Sequence, residues 1–245
     1  MFPYKDDNPT LLTPVLTLTL IAANVAAWVF VQQLGTEPGL SRSVCELGLI
    51  PGELMHRLPP GYRLEMSEGM ACVVGGPSWY TPLTSMFLHG GWVHLLGNMW
   101  FMWVFGNNVE DAMGHARFLL FYLVCGLAAA AAQTAVSPSS PIPMVGASGA
   151  ISGVMGAYIV LYPRVRVHML IFLGFFVTTI KVPAAYMLGY WFLLQLVGAI
   201  PALAAESGGV AFSAHAGGFV AGAILVSFFK NPELLAQRER VLGFS

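Results

Sequence analysis

The sequence predicts an all-α membrane protein, a bundle of six transmembrane helices with a long loop after the first. Two observations predict this class. Hydrophobic residues make up 56% of the 245-residue chain and charged residues only 9%, whereas a soluble domain usually carries about 25% charged residues. Five segments without Asp, Glu, Lys or Arg are long enough to hold the roughly 20 apolar residues of a spanning helix. These segments are residues 8–36, 69–109, 118–163, 182–205 and 207–229.

Prolines and charges set the ends of the individual helices. Residues 118–163 are too many for one crossing, and the prolines between residues 137 and 143 divide them, because proline stops a helix. The predicted spans are residues 12–33, 91–109, 116–136, 148–162, 184–204 and 211–230. Residues 167–180 lie between Arg166 and Lys181 and are too few to cross, which favours an extra re-entrant or interfacial segment. A seventh crossing is the alternative.

The loop at residues 34–82 is rich in glycine and proline, and a loop of that length is usually functional or partly structured. Short interfacial helices are expected in it, for example at residues 52–58. Cys45 and Cys72 both lie in this loop and form a disulfide if it faces an oxidising compartment; free thiols are equally compatible with the sequence.

The distribution of Lys and Arg predicts that both termini lie inside, because cytoplasmic loops carry an excess of basic residues. The predicted inner segments hold Lys5, Arg117, Arg164, Arg166, Lys181, Lys230, Arg238 and Arg240. The outer segments hold Arg42, Arg57 and Arg63. We expect one domain over residues 1–245, with short cytoplasmic tails at about 1–10 and 231–245.

The net charge and the N-terminal residues bear on the binding partners and on the cellular location of the protein. The net charge of −1 gives no electrostatic case for binding nucleic acid. The first ten residues lack a basic region and a small-residue cleavage site, so we expect neither a signal nor a transit peptide. A bacterial inner membrane is the expected location. The sequence does not indicate an oligomeric state.

Polar residues inside the predicted spans are functional candidates, because burying them in hydrocarbon is costly. The set is Asn24, His94, Asn98, Ser148, Ser152, Gln195 and His215. We interpret Asn24 and Gln195 as residues that form hydrogen bonds between helices. Spans two, four and six run from outside to inside, which places His94, Asn98, Ser148 and His215 at a similar depth below the outer surface.

Small residues predict that spans four and six cross closely. Gly149 and Gly153 form one G-x-x-x-G pair, and Gly218 and Gly222 form another. A close crossing brings Ser148 within reach of His215.

This arrangement suits acyl transfer by a serine nucleophile. Histidine is a suitable base for activating a serine hydroxyl. The helix N-terminus at Ser148 offers free backbone N–H groups to an oxyanion, with His94 and Asn98 as further donors. Because the predicted spans contain no Asp or Glu near these residues, we expect a Ser–His dyad.

The motifs resemble those of the rhomboid family of intramembrane serine proteases. The matching strings are His89-Gly90-Gly91-Trp92-Val93-His94-Leu95-Leu96-Gly97-Asn98-Met99, Gly146-Ala147-Ser148-Gly149-Ala150, and Ala214-His215-Ala216-Gly217-Gly218 with Gly222. The resemblance implies a six-helix core, Ser148 as nucleophile, His215 as general base, and oxyanion contacts from His94, Asn98 and the Ser148 N–H.

The resemblance also implies the partners: single-pass membrane proteins, cut in or near the outer part of their transmembrane helix within the lipid bilayer. No cofactor or metal is expected. Some members of the family place an aromatic residue beneath the histidine ring, one turn after the serine. Here that position is Ser152, so the sequence does not show what supports His215.

Two other functions fit parts of the sequence. A non-catalytic rhomboid-like protein would bind membrane helices without cutting them, although inactive relatives typically lose the serine or the histidine and both are present here. A transporter or metal-binding channel would use His89, His94 and His215. Against it, the spans show no obvious inverted repeat, and the chain has no H-E-x-x-H string.

Overall fold

The structure is a computed structural model that describes residues 2–67, 70–76, 78–173, 176–204 and 211–242. It is mostly helical, and a long helix lies at each of the six predicted positions. These are α1 (Val15–Ala26, extended by a π-helical turn at Ala27–Val31), α5 (Trp92–Met113), α6 (His115–Val136), α7 (Ser148–Leu161), α8 (Ala184–Ala204) and α9 (Phe212–Phe229). Shorter helices are α2 (Gly39–Leu47), α3 (Pro51–Leu54), α4 (Thr81–Thr84) and α10 (Pro232–Leu242).

Two of these helices, α6 and α9, are long and apolar enough to cross a membrane by length and composition. Three further segments are apolar but shorter: Val15–Val31, Ser148–Leu161 and Ala184–Ile200. The helix positions are therefore confirmed, whereas six membrane crossings remain a prediction.

Helix α7 forms the centre of the bundle, and its residues 149–158 are all buried. It packs against α9 through backbone contact. A Cβ atom added at Gly222 would lie 1.9 Å from the Gly153 carbonyl oxygen, and one added at Gly218 would lie 2.1 Å from the Gly149 carbonyl oxygen. The close crossing that the glycine spacing predicted is thus present.

The long first loop is folded against the segment that precedes α7. It contains α2, α3 and a hairpin of β2 (Arg63–Ser67) and β3 (Met70–Val73). A disulfide joins Cys45 to Cys72, which decides a pairing that the sequence left open. Leu49 and Met144 exchange two backbone hydrogen bonds, of 3.0 and 2.7 Å. The helix expected at residues 52–58 is present only as the single turn α3.

The all-α prediction is wrong for the segment at residues 167–180, for the N-terminal tail and for the β2–β3 hairpin of the first loop. Strands β4 (Arg166–Leu173) and β5 (Phe176–Pro183) form an antiparallel hairpin, and β1 (Phe2–Asp6) pairs with β4. β5 is rich in β-branched residues, which favour strands. An apolar run this short does not distinguish helix from strand. The pairing with β1 also depends on residues more than 150 positions away, which local pattern does not show.

Carboxylates at the C-terminal end of α5 hold the start of α1. Glu110 accepts hydrogen bonds from the backbone N–H groups of Leu16 and Thr17, both at 2.8 Å, and contacts His115 Nδ1 at 2.5 Å. Asp111 accepts from the N–H groups of two residues just before α1. The Glu110 bonds satisfy donors that the first turn of a helix leaves without partners.

The two terminal segments are packed together. Arg238 of α10 lies 3.3 Å from the Asp111 carboxylate, donates to Asn8 and to the Pro9 carbonyl oxygen, and stacks over Tyr162. Both segments therefore belong to the folded unit.

We expect a side chain at Gly222 to destabilise the bundle. In a Gly222→Ala variant the new methyl group meets the Gly153 carbonyl, so α7 and α9 must separate, at a cost of about 1–3 kcal/mol. Gly189→Ala on α8 is the matched control, because a Cβ there meets nothing within 4 Å. The measurement is the thermal unfolding midpoint in detergent. Equal midpoints for Gly222→Ala and the wild type would contradict the contact.

Asp6 makes the stability of the protein depend on pH. Its carboxylate accepts from Tyr158 and from Asn108, and burial raises its pKa to about 6. The folded state then holds the proton more tightly than the unfolded state, so this contribution to stability falls as pH rises from about 4 to about 6. Asp7 has the opposite effect on the pH dependence of stability. Hydrogen bonds from His168 and Lys181 lower its pKa, so its contribution to stability falls as pH decreases.

An Asp6→Asn variant isolates this contribution. We expect the unfolding midpoint of the variant minus that of the wild type to be more positive at pH 7.5 than at pH 4.5, because asparagine carries no charge to bury. A difference that is the same at both pH values would contradict the assignment. Asp7 is unchanged in both proteins, so its contribution cancels.

Candidate active site

Ser148 is the first residue of α7, and the turn before it requires glycine. Gly146 has φ of +132°, a conformation that other residues rarely adopt, and its N–H donates to the Ser85 carbonyl at 2.9 Å. A Cβ at Gly146 would lie 2.8 Å from His94 Nε2 and 3.4 Å from Ser148 Oγ. The glycine therefore lets the imidazole of His94 and the hydroxyl of Ser148 approach one another.

The Ser148 hydroxyl is hydrogen-bonded to His215 on α9. Ser148 Oγ and His215 Nε2 are 2.7 Å apart, and Nδ1 of the same ring lies 2.9 Å from Gln195 Oε1 on α8. Gln195 Nε2 donates to the Trp191 carbonyl at 3.3 Å, so the amide oxygen faces the ring. Because an amide oxygen only accepts, Nδ1 carries the hydrogen and Nε2 is free to accept the Ser148 proton.

His94 and Asn98 come from the first turns of α5 and line the same cavity as Ser148. The Gly90 N–H donates to His94 Nδ1 at 3.2 Å. In the neutral ring Nε2 therefore carries the hydrogen, on the side of Gly146. Asn98 Nδ2 donates to the His94 carbonyl at 2.8 Å and keeps a second N–H for another acceptor. The four residues that the sequence predicted at one depth are thus brought together.

The cavity has a volume of about 920 Å³. The first loop, the segment before α7, and α5, α6, α7, α8 and α9 all contribute to its wall. Its lining includes Trp92, His94, Asn98, Ser148, Trp191 and His215. This volume is within the usual range for a ligand site.

Ser152 lies one turn below Ser148 and is fully buried. Its hydroxyl donates to the Ser148 carbonyl at 2.6 Å, so it braces the first turn of α7. The ring of His215 is instead flanked by Trp191, with centroids 6.0 Å apart and planes tilted by 37°. The sequence predicts no role for Trp191 beside His215, and for Gln195 it predicts only a hydrogen bond between helices. Their spacing of four residues, which puts both on one face of α8, was the available signal.

The three histidines of the proposed metal channel do not all line the cavity: His94 and His215 do, and His89 does not. The rings of His89 and His94 are 5.2 Å apart, whereas His215 faces Ser148. Gln32 exchanges two hydrogen bonds of 2.7 Å with the backbone of His89. Within the described residues, no group of three or more His, Cys, Asp or Glu side chains has the arrangement of a metal site.

Comparison with known proteins finds one family model, the Rhomboid domain, over residues 76–231. The chain is 32% identical over 165 residues to "Rhomboid protease GluP" of Bacillus subtilis (strain 168), an alignment of 67% of this chain and 29% of that protein. It is 34% identical over 99 residues to "Putative rhomboid protease YdcA" of the same organism, covering 40% of this chain and 45% of that one.

Organellar proteins are similar as well. The chain is 29% identical over 170 residues to "RHOMBOID-like protein 6, mitochondrial" of Arabidopsis thaliana, covering 62% of this chain and 53% of that one. In these three alignments the chain spans between 29% and 53% of the length of the relative.

Proposed function

The chain belongs to the rhomboid family, and from this membership we propose that it is a serine endopeptidase that cuts single-pass membrane proteins within the bilayer. The observation that carries the proposal is the 2.7 Å contact between Ser148 Oγ and His215 Nε2, with Nδ1 already occupied by Gln195. A serine beside a base of this kind is the arrangement that nucleophilic acyl transfer needs.

In the proposed reaction, Ser148 Oγ attacks the carbonyl carbon of the scissile peptide while His215 Nε2 takes its proton. The oxyanion that forms is stabilised by the Ser148 backbone N–H, His94 Nε2–H and the Asn98 amide. His215 then gives the proton to the leaving amine, and the C–N bond breaks to leave an acyl-enzyme. Water attacks the ester, His215 takes the proton from the water and returns it to Ser148 Oγ, and the acid product leaves.

The proposal includes a membrane arrangement. Rhomboid proteins are integral membrane proteins. In this arrangement residues 1–245 form one domain that crosses the membrane six times, with both termini inside. The N-terminal ends of α5, α7 and α9, which carry the proposed catalytic residues, would then lie towards the outer face. The long helix at each predicted position and the excess of Lys and Arg in the inner segments support this. Residence in a bacterial inner membrane stays a prediction, since the relatives include mitochondrial proteins.

We expect Ser148→Ala and His215→Ala each to abolish cleavage of a single-span substrate reconstituted with the protein. Each should also abolish labelling by a fluorophosphonate, which reacts with an activated serine. The measurements are product formation on gels and label incorporation into purified protein. Loss of both signals follows from removing the nucleophile or its base.

Ser152→Ala is the matched control, because it removes a neighbouring hydroxyl that is bonded only to a backbone carbonyl. It should keep most of the activity and lose about 1 kcal/mol of stability. Cleavage that survives Ser148→Ala would overturn the mechanism. Binding of the substrate helix by the wild type without cleavage would favour the non-catalytic alternative.

We expect Asn98→Ala to lower kcat by on the order of 100-fold with little change in KM, because an oxyanion donor acts mainly in the transition state. Asn24→Ala is the control. Asn24 is also buried, and it donates at 2.8 Å to the carbonyl of Leu20, four residues earlier, as Asn98 does to His94. It lies on α1, and its variant should lose stability and keep kcat. Equal effects of both variants on kcat would argue against the oxyanion role.

A further inference from the structure

Gln195 is a buried amide on a helix whose neighbouring side chains are apolar and exposed. Its exposed fraction is 8%, whereas those of Leu194 and Leu196 on either side are 45% and 43%. Burying an amide is costly unless both of its ends form hydrogen bonds. The Gln195 amide is satisfied by His215 Nδ1 at 2.9 Å and by the Trp191 carbonyl at 3.3 Å.

From this geometry we propose that Gln195 is the positioning residue for His215, in the place that a carboxylate holds in a Ser–His–Asp triad. This inference rests on the proposed function and extends the expected dyad to three members. The side-chain oxygen of Gln195 accepts from Nδ1–H and holds the ring in the tautomer whose Nε2 faces Ser148 Oγ. With the hydrogen on the other nitrogen, Nε2 would be a donor and could not take the Ser148 proton.

The amide is itself held in one orientation. Gln195 Nε2 donates to the carbonyl of Trp191, one turn earlier on α8, and the Trp191 ring lies beside His215 with centroids 6.0 Å apart. A flipped amide would lose its bond to that carbonyl and would present N–H to Nδ1. One face of α8 therefore fixes both the tautomer and the orientation of the His215 ring.

The hydrogen bond joins two helices, since Gln195 lies on α8 and His215 on α9. It exists only when these helices are in the observed register. The active tautomer therefore depends on the placement of α8, and not only on the α7–α9 contact that brings Ser148 to His215.

The groups around His215 come from α5, α7 and α8, and Gln195 is the one that is bonded to Nδ1. Ser148 faces the ring from α7, and Trp191 and Gln195 face it from α8. His94 lines the cavity from α5. Among the described residues of the cavity wall, histidine is the only titratable or charged type that faces the centre of the site. A carboxylate introduced at residue 195 would thus act on His215 without a competing carboxylate beside it.

The test compares Gln195→Leu and Gln195→Glu with the wild-type protein in the cleavage assay, as full pH–rate profiles. Leucine has a similar volume and no acceptor, so we expect kcat to fall by on the order of 100-fold, with KM within about 2-fold and a parallel loss of fluorophosphonate labelling rate. Glutamate restores an acceptor. It should keep kcat within about 10-fold, and it should move the acid limb of the profile to higher pH, because a carboxylate stabilises the imidazolium.

Gln32→Leu is the matched control, since Gln32 is also a buried glutamine and makes two hydrogen bonds, to the backbone of His89. It should lower the unfolding midpoint and leave the shape of the pH–rate profile unchanged. A Gln195→Leu variant that keeps kcat within about 2-fold of an active wild type would overturn the positioning role, as would a Gln195→Glu profile that coincides with the wild-type profile.

The glutamate variant decides the question if the leucine variant does not fold. Failure of the proposed function would look different, because the wild type itself would then neither cleave substrate nor label at Ser148.

Discussion

The backbone contact between α7 and α9 is the constraint on which the site depends. Gly153 and Gly222 let the two helices approach until a side chain at Gly222 would overlap a carbonyl oxygen. At that separation the first residue of α7, Ser148, reaches a ring that is carried one turn into α9. Larger residues would push the helices apart and lengthen this hydrogen bond. Small residues in the centre of the bundle therefore have a direct chemical consequence at its end.

The start of α7 is held from outside the bundle as well. The segment before it bonds through Gly146 to Ser85 and through Met144 to Leu49 of the first loop. The Cys45–Cys72 disulfide joins α2 of that loop to its hairpin. A helix N-terminus that offers N–H groups to an oxyanion must keep a constant position. The first loop, which carries no proposed catalytic side chain, supports that position.

Helix α5 links the two ends of the molecule. Its first turns carry His94 and Asn98 in the cavity wall, and its last turn carries Glu110 and Asp111, which hold the start of α1. The polar groups at this far end are closely bonded to one another and to the terminal segments. Each end of the bundle thus concentrates polar side chains. Between the ends, Ser152 and Asn24 each donate to a carbonyl one turn earlier in their own helix.

Sequence alone determined the six helix positions, the close crossing and the grouping of Ser148, His215, His94 and Asn98, because apolar length, proline and glycine spacing act locally along a helix. It did not determine the β1–β4–β5 sheet, whose pairing joins residues far apart in the chain. It also assigned Gln195 no role at the site. Periodicity places a residue on a face of its own helix, but only the packing of α8 against α9 decides that this face meets Nδ1 of His215.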